Sequence, residues 1–112
     1  MSQKQPTRIL IADDHPIVRA GIAAMLEIDP KANLTVVGQA NNGYEAVELF
    51  AQLQPDIGLI ALQMPQMDGV AAITAIRQKF STARLIVLIT YIAIMSAQAV
   101  ITALKPGIVT LP

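Results

Sequence analysis

Short apolar runs alternate along the chain with amphipathic stretches, and the order of alternation is constant. Residues 8–12 (RILIA) are a brief β-branched run, whose length and composition predict a strand buried on both faces. Val18, Ile22, Met25 and Leu26 recur at helical spacing, which predicts an amphipathic helix over 16–28, opened by Pro16 and stopped near Asp29-Pro30. LTVVGQA at 34–40 is a second strand, and Asn41-Asn42-Gly43 is a turn and cap for a helix over 44–53 with Ala46, Val47 and Phe50 inward. DIGLIAL at 56–62 is a third strand, followed by the breaker-rich loop 63–69. Val70, Ile73, Ile76 and Phe80 mark a third helix, and RLIVLIT at 84–90 a fourth strand. Residues 91–104 are expected to form a helix ended by Lys105-Pro106-Gly107, with a short strand over 108–111. An order of βαβαβαβαβ predicts one parallel sheet with helices on both faces and right-handed crossovers. In such sheets a ligand crevice lies beyond the carboxyl ends of the strands, so Asp13-Asp14 and the loop after the third strand are expected to meet at one edge.

Composition narrows the chemistry that this frame can carry. At 112 residues the chain suits one domain, 1–112, with a polar lead-in over 1–7 and no separate cofactor module. Eight basic residues balance eight acidic ones, which removes the broad positive field that direct nucleic-acid or anionic-membrane binding needs. With no cysteine and one histidine, a thiolate zinc site, a cysteine nucleophile and a polyhistidine cage are excluded. The first residues lack a long apolar stretch, so a secretory signal is not expected and the cytoplasm is the expected compartment. The charges crowd into residues 1–82, and residues 85–104 carry none, which reaches the length of a membrane span. Thr90, Tyr91, Ser96, Gln98 and Thr102 within that stretch, and the lack of a flanking basic cluster, make membrane association the lesser reading.

Two adjacent carboxylates at the end of a buried strand are costly to bury unless a cation or a basic group compensates them. Asp13 and Asp14 therefore suit a Mg²⁺ ion, which favours a few carboxylate oxygens with water and phosphate oxygens. The alternative is that they cap the first helix, where acids stabilise by a few tenths to ~1 kcal/mol without any ligand. His15 reads structurally, opening that helix with Pro16, and Met64 and Met67 read as loop-packing residues.

Three strings in the chain, ILIADDHPIVRAGIAAML, VVGQANNGYEAVELFAQLQPDI and LQMPQMDGVAAITAIR, resemble the receiver domain of two-component response regulators. The D-D-H-P, N-G-x-E-A and M-P-x-M-D-G forms are similar to the branch whose full-length members end in a LuxR-type helix-turn-helix and regulate transcription. The resemblance implies an α/β, flavodoxin-like, doubly wound parallel sheet of five strands in the order 2-1-3-4-5. It also implies a regulatory rather than enzymatic domain, in which a histidine kinase donates a phosphoryl group to an Asp at the end of the third strand with Mg²⁺ assistance. A hydroxyl ending the fourth strand and a Lys after the fifth would sense that group.

Mapped by residue, the pattern is kept at Asp13, Asp14, Met64-Pro65 and Asp68-Gly69 and departs from the family elsewhere. Ala61 stands at the phosphoacceptor position, where a methyl group cannot accept a phosphoryl group. Ile89 stands at the hydroxyl position, with Thr90 one residue away, and Val109 at the lysine position. With the third carboxylate gone, Asp13, Asp14 and Gln63 are left as a weak magnesium set, so the ion is expected to be bound weakly or lost. Related receivers carry a fifth helix after the last strand; the sequence ends before one, so a homo-oligomer or another protein is expected to cover the face left short. The leading expectation is a receiver that no longer accepts phosphate and acts as an interaction or dimerisation module. Two readings stand beside it: a Mg²⁺-dependent phosphoacceptor still active at Asp13, Asp14 or Asp56, and an engineered, truncated receiver.

Overall fold

The computed structural model describes residues 5–89 and 107–111. Its elements follow in the order β1 (Thr7–Ala12), α1 (Pro16–Glu27), β2 (Leu34–Ala40), α2 (Gly43–Leu53), β3 (Ile57–Ala61), α3 (Gly69–Lys79), β4 (Arg84–Leu88) and β5 (Gly107–Leu111). All strands pair in parallel in one five-stranded sheet of order β2-β1-β3-β4-β5. The doubly wound α/β architecture expected from the alternation is therefore present. The helix expected over 91–104 and Thr90 lie outside the described residues.

Alternate side chains of the central strands feed two cores, because successive residues of a strand point to opposite faces. Ile9, Ile11, Ile57, Leu59, Ile86 and Leu88 join Leu26 of α1 on one side. Leu10, Ala12, Ile60, Leu85 and Val87 join Phe50 of α2 and Ile73 and Ile76 of α3 on the other. Fully burying a Leu or Ile side chain is worth roughly 1.5–3 kcal/mol, so continuous apolar runs at β1, β3 and β4 favour central places in the sheet. The edge strand β2 is mostly half-buried, as a strand with one free flank should be.

Several boundaries differ from those read from periodicity. Strand β3 omits Asp56 and Leu62, β4 stops at Leu88, and α2 and α3 each start one residue earlier, at Gly43 and Gly69. Both helices start early because a side chain caps them: Asn42 accepts from the Glu45 N–H and Asp68 from the Ala71 N–H, each at 2.9 Å. The stripe expected on α1 is narrower than its spacing suggests. Leu26 is buried, Val18 and Ile22 are half-buried, and Met25 is exposed. Ile17 and Ile28 are 87% and 79% exposed, so the helix rests on the sheet along a thin line. Among the described residues no helix is long and apolar enough to cross a membrane.

Candidate acidic site at the carboxyl edge of the sheet

The register of the central strands brings the sequence-predicted residues together. Ala12 pairs with Ile60, so Asp13 and Ala61, the next residue of each chain, lie side by side where β1 and β3 end. Ala61 in turn pairs with Leu88 of β4, which puts Ile89 directly beyond the same edge, 54% exposed. Val109 pairs with Ile86, two positions short of the edge, where Leu88 meets Leu111. It therefore sits within the strand ladder rather than with Ala61 and Ile89. Asp56 lies at the opposite, amino end of β3, where its carboxylate accepts the Arg8 N–H at 2.8 Å.

Asp13 is the one buried charged residue among those described, and its surroundings account for its position. Its amide donates to the Ala40 carbonyl at 3.0 Å, which extends the β1–β2 ladder by one step. Its Oδ1 accepts the His15 amide at 2.8 Å and lies 2.9 Å from His15 Nδ1. The same Nδ1 lies 3.0 Å from Asp14 Oδ1. A ring nitrogen carries at most one proton, so it can satisfy only one of the two oxygens by hydrogen bonding. Asp13 Oδ2 is buried with no hydrogen-bond partner, and Asp14 Oδ1 makes no aligned hydrogen bond despite the close nitrogen.

The helix-cap alternative for the two acids is not what the geometry shows. His15, not an aspartate, is the N-cap of α1, and no side chain caps that helix. The imidazole turns back onto the carboxylates instead, a role that its place before Pro16 did not reveal. Arg19, which the sequence reading passed over, fixes the turn. Its guanidinium donates to the Asp13 carbonyl, to Asn41 Oδ1 at 2.6 Å and to Gln39 Oε1 at 3.1 Å, so one side chain ties α1 to the ends of β1 and β2. The signal for it was an Arg one turn into a helix whose first turn follows two acids.

The loop after β3 closes the site from the other side. Gln63 is exposed on it and Met64 is buried in the core beneath, as a packing residue. Two glycines let the loop approach. The Gly43 amide donates to Met67 O at 3.0 Å, and a Cβ there would fall 2.2 Å from that oxygen. A Cβ on Gly69 would fall 2.2 Å from Ala61 O and 2.9 Å from Leu62 Cα. The M-D-G segment therefore packs onto the end of β3, and Asp68 spends its carboxylate on capping α3.

Residues 9–111 match the family model of the response regulator receiver domain. The chain belongs to that family. The receiver is 37% identical over 107 residues to the nitrate/nitrite response regulator protein NarL of Escherichia coli K12, an alignment covering 96% of this chain and 47% of NarL. It is 42% identical over 85 residues to the transcriptional regulatory protein LiaR of Bacillus subtilis, covering 76% of this chain and 39% of LiaR. The chain thus spans about half or less of the curated relatives it matches. Among solved structures, the LuxR-family two-component response regulator from Aurantimonas sp. superposes with a TM-score of 0.73 at 34% identity, over 95% of this chain and 74% of that one. The signal receiver domain of the response regulator NarL from Mycobacterium tuberculosis superposes with a TM-score of 0.72 at 28% identity, over 96% and 85%.

Proposed function

We propose that this receiver has lost phosphoryl acceptance and works as an interaction module, signalling through contact surfaces rather than through a phosphorylated aspartate. The observation that carries the reading is Ala61: fully buried, apolar, at the end of β3 beside Asp13, where the family resemblance puts the acceptor. A phosphoryl group needs a nucleophilic oxygen at its landing point, and a methyl group supplies none. The remaining aspartates are poor substitutes. Asp13 is enclosed and engaged with His15, Asp68 caps α3, and Asp56 is at the far end of the strand on Arg8. Ile89, just beyond Ala61's partner Leu88, would offer an incoming phosphoryl group no hydroxyl.

Magnesium suits this donor set poorly. Mg²⁺ demands near-octahedral oxygen coordination, and the side chains gathered here are two carboxylates and an imidazole, with Gln63 on the loop as the other oxygen source. No step of the proposed role runs through the ion. A module of this kind needs a partner, taken here to be a second copy or another protein seated against the exposed Ile17 and Ile28 of α1. A histidine kinase remains the upstream partner of its relatives, and a cytoplasmic setting follows from the same reading.

Incubation with acetyl phosphate and Mg²⁺, followed by intact-mass measurement, tests the proposal. The expected spectrum has no phosphoryl adduct. An adduct that hydroxylamine removes, mapped to Asp13, Asp14 or Asp56, would restore the phosphoacceptor reading.

A further inference from the structure

At the amino edge of the sheet, opposite Asp13 and Ala61, the carboxyl ends of α2 and α3 and the starts of β3 and β4 frame a cavity of about 190 Å³ that opens to solvent. Phe50 and Phe80 supply its aromatic lining, with ring centroids 5.4 Å apart and planes tilted by 52°. Gln54, Asp56, Thr82 and Arg84 supply its polar lining. The charge around it is unbalanced. Arg8 donates to the Leu53 and Gln54 carbonyls at 2.8 and 3.2 Å, and Arg77 to the Ala83 carbonyl at 3.0 Å. Arg8 thus offsets the helix-end carbonyls of α2, which would otherwise repel an anion. Asp56 is exposed, and its carboxylate accepts the Arg8 amide at 2.8 Å. Among the described residues that line the cavity or bond to its lining through a side chain, three guanidiniums stand against one carboxylate. Arg84 is the uncommitted one: its side chain makes no hydrogen bond or ion pair among the described residues, and its Nε is buried without a partner. A guanidinium nitrogen held out of water and unpaired is costly, and an oxyanion is its natural complement.

We infer that this cavity binds a small aromatic carboxylate, with the carboxylate on the Arg84 guanidinium and the ring against Phe50 and Phe80. A carboxylate meets a guanidinium through two parallel N–H···O bonds, and the edge that carries Nε is where Arg84 has its unpaired donor. That nitrogen is closed to water, so the ligand meets it through a change of Arg84 rotamer that leaves the β4 backbone in place. The volume suits one ring with a carboxylate, since an apolar cavity of ~150 Å³ accepts benzene. A ring added beside the tilted Phe50–Phe80 pair extends an arrangement that aromatic groups favour at centroid spacings of ~4.5–7 Å. A bare phosphate would leave the aromatic lining unused, and an uncharged ring would leave Arg84 unpaired. The inference stands apart from the proposed loss of phosphoryl acceptance, because none of these residues lies at the carboxyl edge of the sheet.

Titration of the isotope-labelled full chain with sodium benzoate, followed by amide NMR shifts, tests the assignment, with benzyl alcohol and sodium phosphate as separate arms at matched ionic strength. Benzoate should give saturable shifts at the amides of residues 54–56 and 82–84, fitting one site with a Kd of about 1 mM or tighter. Benzyl alcohol, which keeps the ring and loses the charge, should bind about tenfold more weakly or worse, and phosphate should give no saturable shift at these amides. Arg84→Met keeps an unbranched apolar stem and should lose about tenfold or more of the benzoate affinity. Thr82→Trp changes an exposed position at the cavity and should block benzoate by bulk, which gives a second variant that leaves the start of β4 untouched. Shifts that rise linearly without saturating, an equal response to benzyl alcohol or to phosphate, or undiminished benzoate binding in either variant would overturn the assignment. A phosphoryl adduct in the earlier mass measurement would leave this site standing, since the two edges of the sheet are tested separately.

Discussion

At the scale of single residues, what decides the behaviour of the site is the volume and polarity at the end of β3. The backbone of the M-D-G loop sits so close to the end of β3 that a Cβ on Gly69 would be 2.2 Å from Ala61 O. The atoms it would strike are backbone, which cannot swing aside as a flexible side chain can. Gly69→Ala should therefore destabilise the fold by about 2 kcal/mol or more, read as a lower urea midpoint at unchanged slope. An unchanged midpoint would show that the loop yields without loss. Ala61 was legible in the sequence because the strings around it match the family. The ring of His15 against two carboxylates was not, since a residue beside a proline at a helix start has many possible rotamers.

At the scale of elements, helix starts are set by side chains that satisfy orphan amides rather than by hydrophobic spacing. Helix α3 buries Ala72, Ile73 and Ile76 against the sheet, and its start is fixed by the Asp68 cap, whose Oδ1 accepts the Ala71 N–H at 2.9 Å. Asp68→Ala should cost about 1 kcal/mol, seen as a lowered thermal midpoint with sheet content unchanged in circular dichroism. Helix α2 has a reciprocal arrangement, in which Asn42 accepts from the Glu45 amide and Glu45 Oε1 accepts from the Asn41 amide at 2.7 Å. Periodicity located all three described helices and four strands, because burial on one face leaves a repeating mark. It placed ends to within one or two residues, because caps and register, not periodicity, fix them.

At the scale of the whole molecule, the two faces of the sheet differ. Helices α2 and α3 cover one side together, while α1 is the one described helix on the other and leaves Ile17, Met25 and Ile28 exposed. If a partner or second copy uses this side, sedimentation of the protein should show concentration-dependent association. The double variant Ile17→Ser, Ile28→Ser should shift it towards monomer while changing stability by no more than about 0.5 kcal/mol per site. A monodisperse monomer at high micromolar concentration would count against association through α1.

The sequence by itself determined the order of strands and helices, the two-sided burial of β1, β3 and β4, and the meeting of Asp13-Asp14 with the loop after β3 at one edge. These follow from local periodicity and from the handedness and parallel pairing of βαβ units, which leave few ways to assemble the chain. Only the tertiary structure decided that Val109 pairs with Ile86 inside the ladder, that Arg19 binds the ends of two strands, and that His15 turns onto the acids. Register and rotamer depend on contacts between residues far apart in the chain, and a linear pattern carries no measure of those distances.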